Sequence, residues 1–179
     1  MRKLTLLRHA KSSWSDRTKA DIDRPLTLRG RRGALKIGTY IEKNKIFPDL
    51  ILCSPSKRTR ETLAQIEPFL PDGTEVKIEK SIYSAGTGSG LISYLKSSAI
   101  EEVHVMIIGH NPTMQQMALD LAERTPDNDY HLIERKYPTA ALTQIKFDID
   151  DWRDLGGRGK LVHFVTPKML PGPDDEDEE

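Results

Sequence analysis

Three short apolar runs limit what this chain can fold into. They are Leu4-Thr5-Leu6-Leu7, Leu50-Ile51-Leu52-Cys53 and Val103-His104-Val105-Met106-Ile107-Ile108. Unbroken apolar runs of this length suit strands buried on both faces, as in parallel sheets. Each run stops at a polar cluster. Arg8-His9 follows the first, Ser54-Pro55-Ser56-Lys57-Arg58 the second and Gly109-His110-Asn111-Pro112 the third. Helical patterns follow the second and third clusters directly, and the first after a loop. In open α/β sheets, ligands bind at the carboxyl ends of strands. Arg8 there offers a planar fork of donors for phosphate or carboxylate. His9 beside it suits a nucleophile, acid or base near neutral pH.

The connecting segments follow from turn and cap signals. Residues 3–8 read as the first strand. Lys11-Ser12-Ser13-Trp14-Ser15-Asp16 is a polar loop at the mouth of a site, where Lys11 and the Ser12 hydroxyl can touch a phosphate. Residues 16–24 are charged and expected to be mobile. Thr27 is the expected N-cap of a helix reaching about Asn44, with Leu28, Ala34, Leu35, Ile37, Gly38 and Ile41 on its apolar face. Arg29, Arg31, Arg32 and Lys36 then form its solvated face. Ser54 is the expected N-cap of a helix over 56–68, with Pro55 in its first turn. Helix N-termini favour anions, so Arg58 is placed to join Arg8 on one phosphate.

Residues 75–79 alternate like an edge strand. Ala85-Gly86-Thr87-Gly88-Ser89-Gly90 is a flexible loop before a helix at 89–97; without a Lys-Ser/Thr ending and a preceding strand it is no P-loop. Residues 114–123 read as a helix, and 140–147 with 160–165 as a hairpin. His104 falls inside a strand and is read as structural. Cys53 is read as a small buried hydrophobe.

A chain of 179 residues fits one domain, here 1–170, followed by an acidic tail at 171–179 expected to be disordered. The formal net charge is zero, with 27 basic and 27 acidic residues. Setting aside the six acids at 174–179 leaves 21 acidic residues, so the body carries a formal +6. Such a body suits an anionic substrate. No basic run is interleaved with aromatics, which argues against nucleic acid as a partner. The single cysteine excludes an intrachain disulfide. With no signal-peptide pattern and no membrane-spanning apolar run, a monomer in the cytoplasm is expected.

Four motifs together resemble the histidine phosphatase superfamily, also called phosphoglycerate mutase-like. Leu7-Arg8-His9-Ala10 is similar to its Arg-His-Gly signature, with Ala for Gly. Pro25-Leu26-Thr27-Leu28-Arg29-Gly30 resembles its Leu-Thr-x-x-Gly segment. Ser54-Pro55-Ser56-Lys57-Arg58-Thr59-Arg60-Glu61-Thr62 resembles its Ser-x-x-x-Arg-Ala-x-x-Thr element. Ile108-Gly109-His110-Asn111-Pro112 is similar to the second-histidine motif. The short length and the 85–90 loop look most like the SixA-type phosphohistidine phosphatases. The resemblance implies an α/β three-layer sandwich with a mainly parallel central sheet flanked by helices. It implies His9 as phosphoryl acceptor and Arg8, Arg58 and His110 around the phosphate, with Ser12 and Asn111 as further substrate contacts, His110 protonated in the complex, and no metal or other cofactor.

Two departures from the family bear on the substrate. Relatives acting on alcohol phosphates carry a Glu in a covering segment, or Asp after the second His; here residues 81–100 contain no acid and that position is Asn111. A labile P–N bond needs less acid help than an alkyl ester. The expected substrate is therefore a phosphohistidine on a signalling or phosphotransfer protein. A small-molecule phosphomonoesterase using Asp16, Asp21 or Asp23 as acid is the alternative, and a non-catalytic phosphate-binding module is a third.

Overall fold

The computed structural model describes residues 1–172. The expected disorder of the acidic tail therefore falls almost wholly on residues outside the described ones. Six strands form one sheet in the order β3-β2-β4-β1-β5-β6. They are β1 (Arg2–Arg8), β2 (Leu50–Cys53), β3 (Glu75–Ile78), β4 (His104–Gly109), β5 (Leu142–Phe147) and β6 (Lys160–Val165). The four from β3 to β1 are parallel, while β5 and β6 run antiparallel and form the expected hairpin. The apolar runs become the inner strands because both their faces are covered: every residue of β2 and β4 is buried.

Helices cover both faces, giving the three-layer α/β sandwich. On one side lie α1 (Leu28–Lys43) and α2 (Lys57–Ile66). Ala34, Ile37, Ile41, Leu63 and Ile66 pack there on Ile51, Met106 and Ile108. On the other lie α3 (Lys80–Tyr83), α4 (Ser89–Ser97), α5 (Thr113–Leu121) and α6 (Tyr130–Arg135). Ile82, Leu91, Leu95, Met114 and Met117 meet Leu6, Leu52 and Ile107. Among the described residues no helix is long and apolar enough to cross a membrane.

Strand register places the site. Arg8 pairs with Gly109, and Cys53 with Ile108, so β1, β2 and β4 end level. The ladder continues past them: His9 N–H donates to the Gly109 carbonyl at 2.9 Å and Ser54 N–H to Ile108 at 3.1 Å.

Several local readings are corrected. Thr27 does cap α1, accepting from Gly30 N–H at 2.9 Å. Leu28 and Leu35, however, are exposed, because at 100° per residue they project from the side of α1 opposite Ala34, Ile37 and Ile41, whose stripe Gly30 and Gly33 share. Gly38 similarly faces the Phe69 ring. The N-cap of α2 is Ser56, whose side chain accepts from Thr59 N–H, rather than Ser54, so Pro55 precedes the cap. The 67–69 segment is a separate 3₁₀ turn. Residues 21–23 form another 3₁₀ turn, and Arg24 after them is buried, so the 16–24 stretch is anchored at its end rather than open. The short α3 and α6 were not foreseen; six residues or fewer give too little periodicity.

A Cβ at Gly30 would collide with the backbone carbonyl of Lys11, which also accepts from Thr27 N–H at 2.9 Å. Gly30→Ala must displace either α1 or the loop after His9. We expect it to lower the unfolding free energy by about 1–3 kcal/mol. Urea denaturation reads this directly, and an unchanged midpoint would mean that the contact relaxes freely.

Candidate active site

Three chain-distant segments bring Arg8, His9, Arg58 and His110 together at the carboxyl end of the sheet. His9 leaves β1, His110 leaves β4, and Arg58 sits in the first turn of α2. The two imidazoles lie 5.3 Å apart between centroids. All but Arg8 are buried, and Arg8 is partly so.

His9 is held as one tautomer. Its Nδ1 lies 2.7 Å from the Ala10 carbonyl, which can only accept, so Nδ1 carries the proton. The lone pair is therefore on Nε2. Burial, with His110, Arg58 and Arg8 nearby, pushes the pKa down to about 3, against the Ala10 hydrogen bond. The ring is neutral at pH 7. The loop that carries it is tied to α2, because Ala10 N–H donates to Thr62 Oγ1 at 3.0 Å and that hydroxyl donates to the Arg58 carbonyl at 2.7 Å.

Arg58 donates from Nη1 to the Asp21 carbonyl at 2.8 Å and from Nη2 to Asp21 Oδ2 at 3.1 Å. Nη2 also lies 3.3 Å from His110 Nδ1, which must accept. His110 Nε2–H is then the donor to Ser54 Oγ at 2.7 Å. Burial first, and then Arg58, push His110 down to about 4. It is neutral here rather than protonated. Arg8 Nη1 donates to the Tyr137 carbonyl at 2.7 Å. The buried Nε atoms of Arg8 and Arg58 have no protein partner.

The remaining sequence candidates divide. The Ser12 hydroxyl is buried and accepts from Arg24 Nη1 at 2.8 Å. Asn111 is occupied by the fold: Nδ2 donates to the Tyr137 carbonyl at 3.1 Å and Oδ1 accepts from Gln115 N–H at 3.3 Å, at the start of α5. One N–H and one oxygen lone pair of the amide are left over. Asp21 reaches the site, but as a carboxylate. Tyr83 OH donates to its Oδ2 at 2.6 Å and Arg24 Nε to its Oδ1 at 3.1 Å. Tyr83, then Arg58 and Arg24, hold its carboxyl at about 2. Asp16 is bound locally by Thr18, which lowers its pKa too, and Asp23 is exposed.

Arg24, Tyr83, Ser54 and Thr62 serve the site and were missed. For Ser54 and Thr62 a signal existed, since both lie within the 54–62 motif. For Tyr83 there was none, since its partner Asp21 is 62 residues away, while Arg24 lies three residues from Asp21 and twelve from Ser12 in a stretch with no motif. Cys53 and His104 sit as expected. Cys53 is buried, with its thiol pushed up to about 12. His104 is held between Thr5 Oγ1 and the Phe47 carbonyl, each at 2.8 Å. Among the described residues no three His, Cys, Asp or Glu side chains are grouped to hold a metal ion.

Residues 4–83, carrying Arg8, His9 and Arg58, match the Histidine phosphatase superfamily (branch 1). An uncharacterized protein of Mycobacterium tuberculosis is 31% identical over 90% of this chain and its own full length. The chain belongs to the histidine phosphatase superfamily. Within it, the fold groups with the SixA-like branch. A candidate phosphohistidine phosphatase SixA from Agrobacterium tumefaciens is 27% identical with a TM-score of 0.74, covering 93% of this chain and 98% of that one. The protein histidine phosphatase SixA complexed with tungstate has a TM-score of 0.73 at 19% identity, with the same coverage.

The buried imidazoles make stability sensitive to acid. His9 is pushed to about 3, and His104 and His110 to about 4. Unfolded, each ring takes up a proton near pH 6.5. Between about pH 6.5 and 4 the unfolded chain binds more protons, so stability falls as pH falls, by up to about 1.4 kcal/mol per unit for each ring. Urea unfolding at pH 7, 6, 5 and 4.5 should show this decline, and a flat profile would mean that the rings are solvated.

Proposed function

We propose that the protein is a phosphohistidine phosphatase working through a phosphorylated His9. The observation that carries this is the His9 tautomer: a neutral ring, with its proton fixed on Nδ1 by Ala10 and its Nε2 lone pair available, set among Arg8, Arg58 and His110. In the proposed reaction, Nε2 attacks phosphorus in line and the bond from phosphorus to the substrate imidazole breaks. If the substrate ring carries a proton on its distal nitrogen, it leaves neutral. His9, with Nδ1–H retained, becomes a phosphohistidine whose ring is an imidazolium. Water then attacks phosphorus, the Nε2–P bond breaks and the proton of the water goes to phosphate or solvent. His9 returns in its starting tautomer. Both half-reactions expel an imidazole already protonated at its other nitrogen, so neither needs a carboxylic acid.

Charge spreads over the equatorial oxygens of the transferring group, and preorganised cations stabilise that state most. Arg8 and Arg58, as planar forked cations, supply these donors without a metal. A bound dianion opposes the forces that keep His110 neutral; on taking a proton, its Nδ1 becomes a further donor. Asp21 argues against the monoesterase alternative. A carboxyl near 2 is ionised at neutral pH and is a weak general acid.

The test compares a phosphohistidine protein with sugar phosphates and p-nitrophenyl phosphate. The first should turn over fastest. His9→Ala should abolish turnover, and an acid-labile phosphoryl adduct should map to His9. Full activity in the variant would overturn the mechanism, and rapid hydrolysis of an alkyl monoester would overturn the substrate class.

A further inference from the structure

A cavity of about 660 Å³ opens beside the phosphate site, with Arg8 as its shared wall. Its other cationic lining residues are Lys11, Arg29, Arg135, Lys136 and Lys168, and among the described residues no Asp or Glu lines it. Lys11, Arg135, Lys136 and Lys168 are exposed. The backbone joins the two regions: Tyr137, whose carbonyl holds Arg8, directly follows Arg135 and Lys136. Between the charges the wall is apolar, through Leu132, Pro138 and Phe164.

We propose that this cavity docks an acidic polypeptide segment flanking the phosphorylated residue of the substrate protein. The proposal rests on the phosphohistidine reading above and adds what selects the substrate. Size argues against a single small anion. The volume equals about twenty waters at ~30 Å³ each, far more than one tetrahedral anion displaces. Spacing argues the same way. The cations come from the loop after β1, from α1, from the end of α6 and from the turn after β6. An extended chain with several carboxylates meets such a spread, while its stem carbons lie on the apolar wall. Exposed cations of this kind steer association and select against neutral partners, and salt screens them.

The experiment uses the full chain and three substrates: a small phosphoramidate, a phosphohistidine peptide flanked by Glu and Asp, and the same peptide flanked by neutral residues. The acidic peptide should have a KM lower than the neutral one by about tenfold, equivalent to about 1.4 kcal/mol. In a Lys136→Gln, Lys168→Gln double variant that preference should shrink several-fold while turnover of the small phosphoramidate stays unchanged. Raising salt from about 0.05 to 0.5 M should do the same to the parent protein. Equal KM values for the two peptides would overturn the proposal. So would a preference that survives the double substitution, or one shown instead by a sugar bisphosphate. If no phosphohistidine substrate turns over, the reaction is wrong and docking is still decided. An unphosphorylated acidic peptide should then bind the parent more tightly than the double variant, by fluorescence anisotropy, and equal binding would end the docking proposal as well.

Discussion

Arg8 and Arg58 each bury an Nε that no protein group satisfies, and Arg24 is buried a few residues from the same loop. One carboxylate, Asp21, is hydrogen-bonded to two of these three guanidinium groups. Charge collected this way is costly, because buried ions are stable only when paired and hydrogen-bonded. Two unit charges about 5 Å apart still repel by roughly 3 kcal/mol at an effective dielectric of 20. The rest of the molecule must hold these cations in place, and their field sets the state of everything among them. It is one reason both imidazoles are neutral, and it is satisfied best by a ligand carrying two negative charges.

The sheet supplies the restraint. Level ends of β1, β2 and β4 set the starting points of three loops to within a residue, and ladder hydrogen bonds run past the strands into His9 and Ser54. Side chains then close the arrangement across the layers. Thr62 on α2 receives the Ala10 N–H and returns a bond to the Arg58 carbonyl. Ser54 orients His110 by accepting from its Nε2–H. Gly30 lets α1 approach the Lys11 carbonyl two residues after His9. The motif residues with no chemistry of their own thus act by positioning those that have it.

This division explains what could be read from the chain in advance. Strands with both faces covered announce themselves as apolar runs, and chemistry at their ends is visible as Arg8, His9, Arg58 and His110. Caps were harder. Ser54 and Ser56 both precede a helix pattern with Pro55 between them, and only the pull of His110 on Ser54 decides which one caps. Leu28 and Leu35 share one face of α1, but it is the face opposite Ala34, Ile37 and Ile41, and the glycines share the buried one. Asn111 stands beside the second histidine, and its amide also bonds Tyr137 and Gln115, one bond across 26 residues that no local pattern shows. The Arg24–Asp21–Tyr83 cluster is a tertiary contact between a loop and a four-residue helix, and no local pattern encodes it.

Asp21 also bears on how the site balances protons. Placed on Arg58 and Tyr83, it lowers the positive charge of the ligand-free pocket but gives up the capacity to donate a proton. A histidine enzyme acting on alcohol phosphates needs that donor, because an alkoxide is a poor leaving group. An enzyme that exchanges phosphate between imidazoles does not, since each ring leaves with a proton already on its other nitrogen. Given that chemistry, the acid can be dispensed with and its position used for electrostatic balance. In the proposed reaction the fixed Nδ1–H of His9 is then the proton that matters, because it makes the phosphorylated ring an imidazolium that leaves as neutral imidazole when water attacks phosphorus.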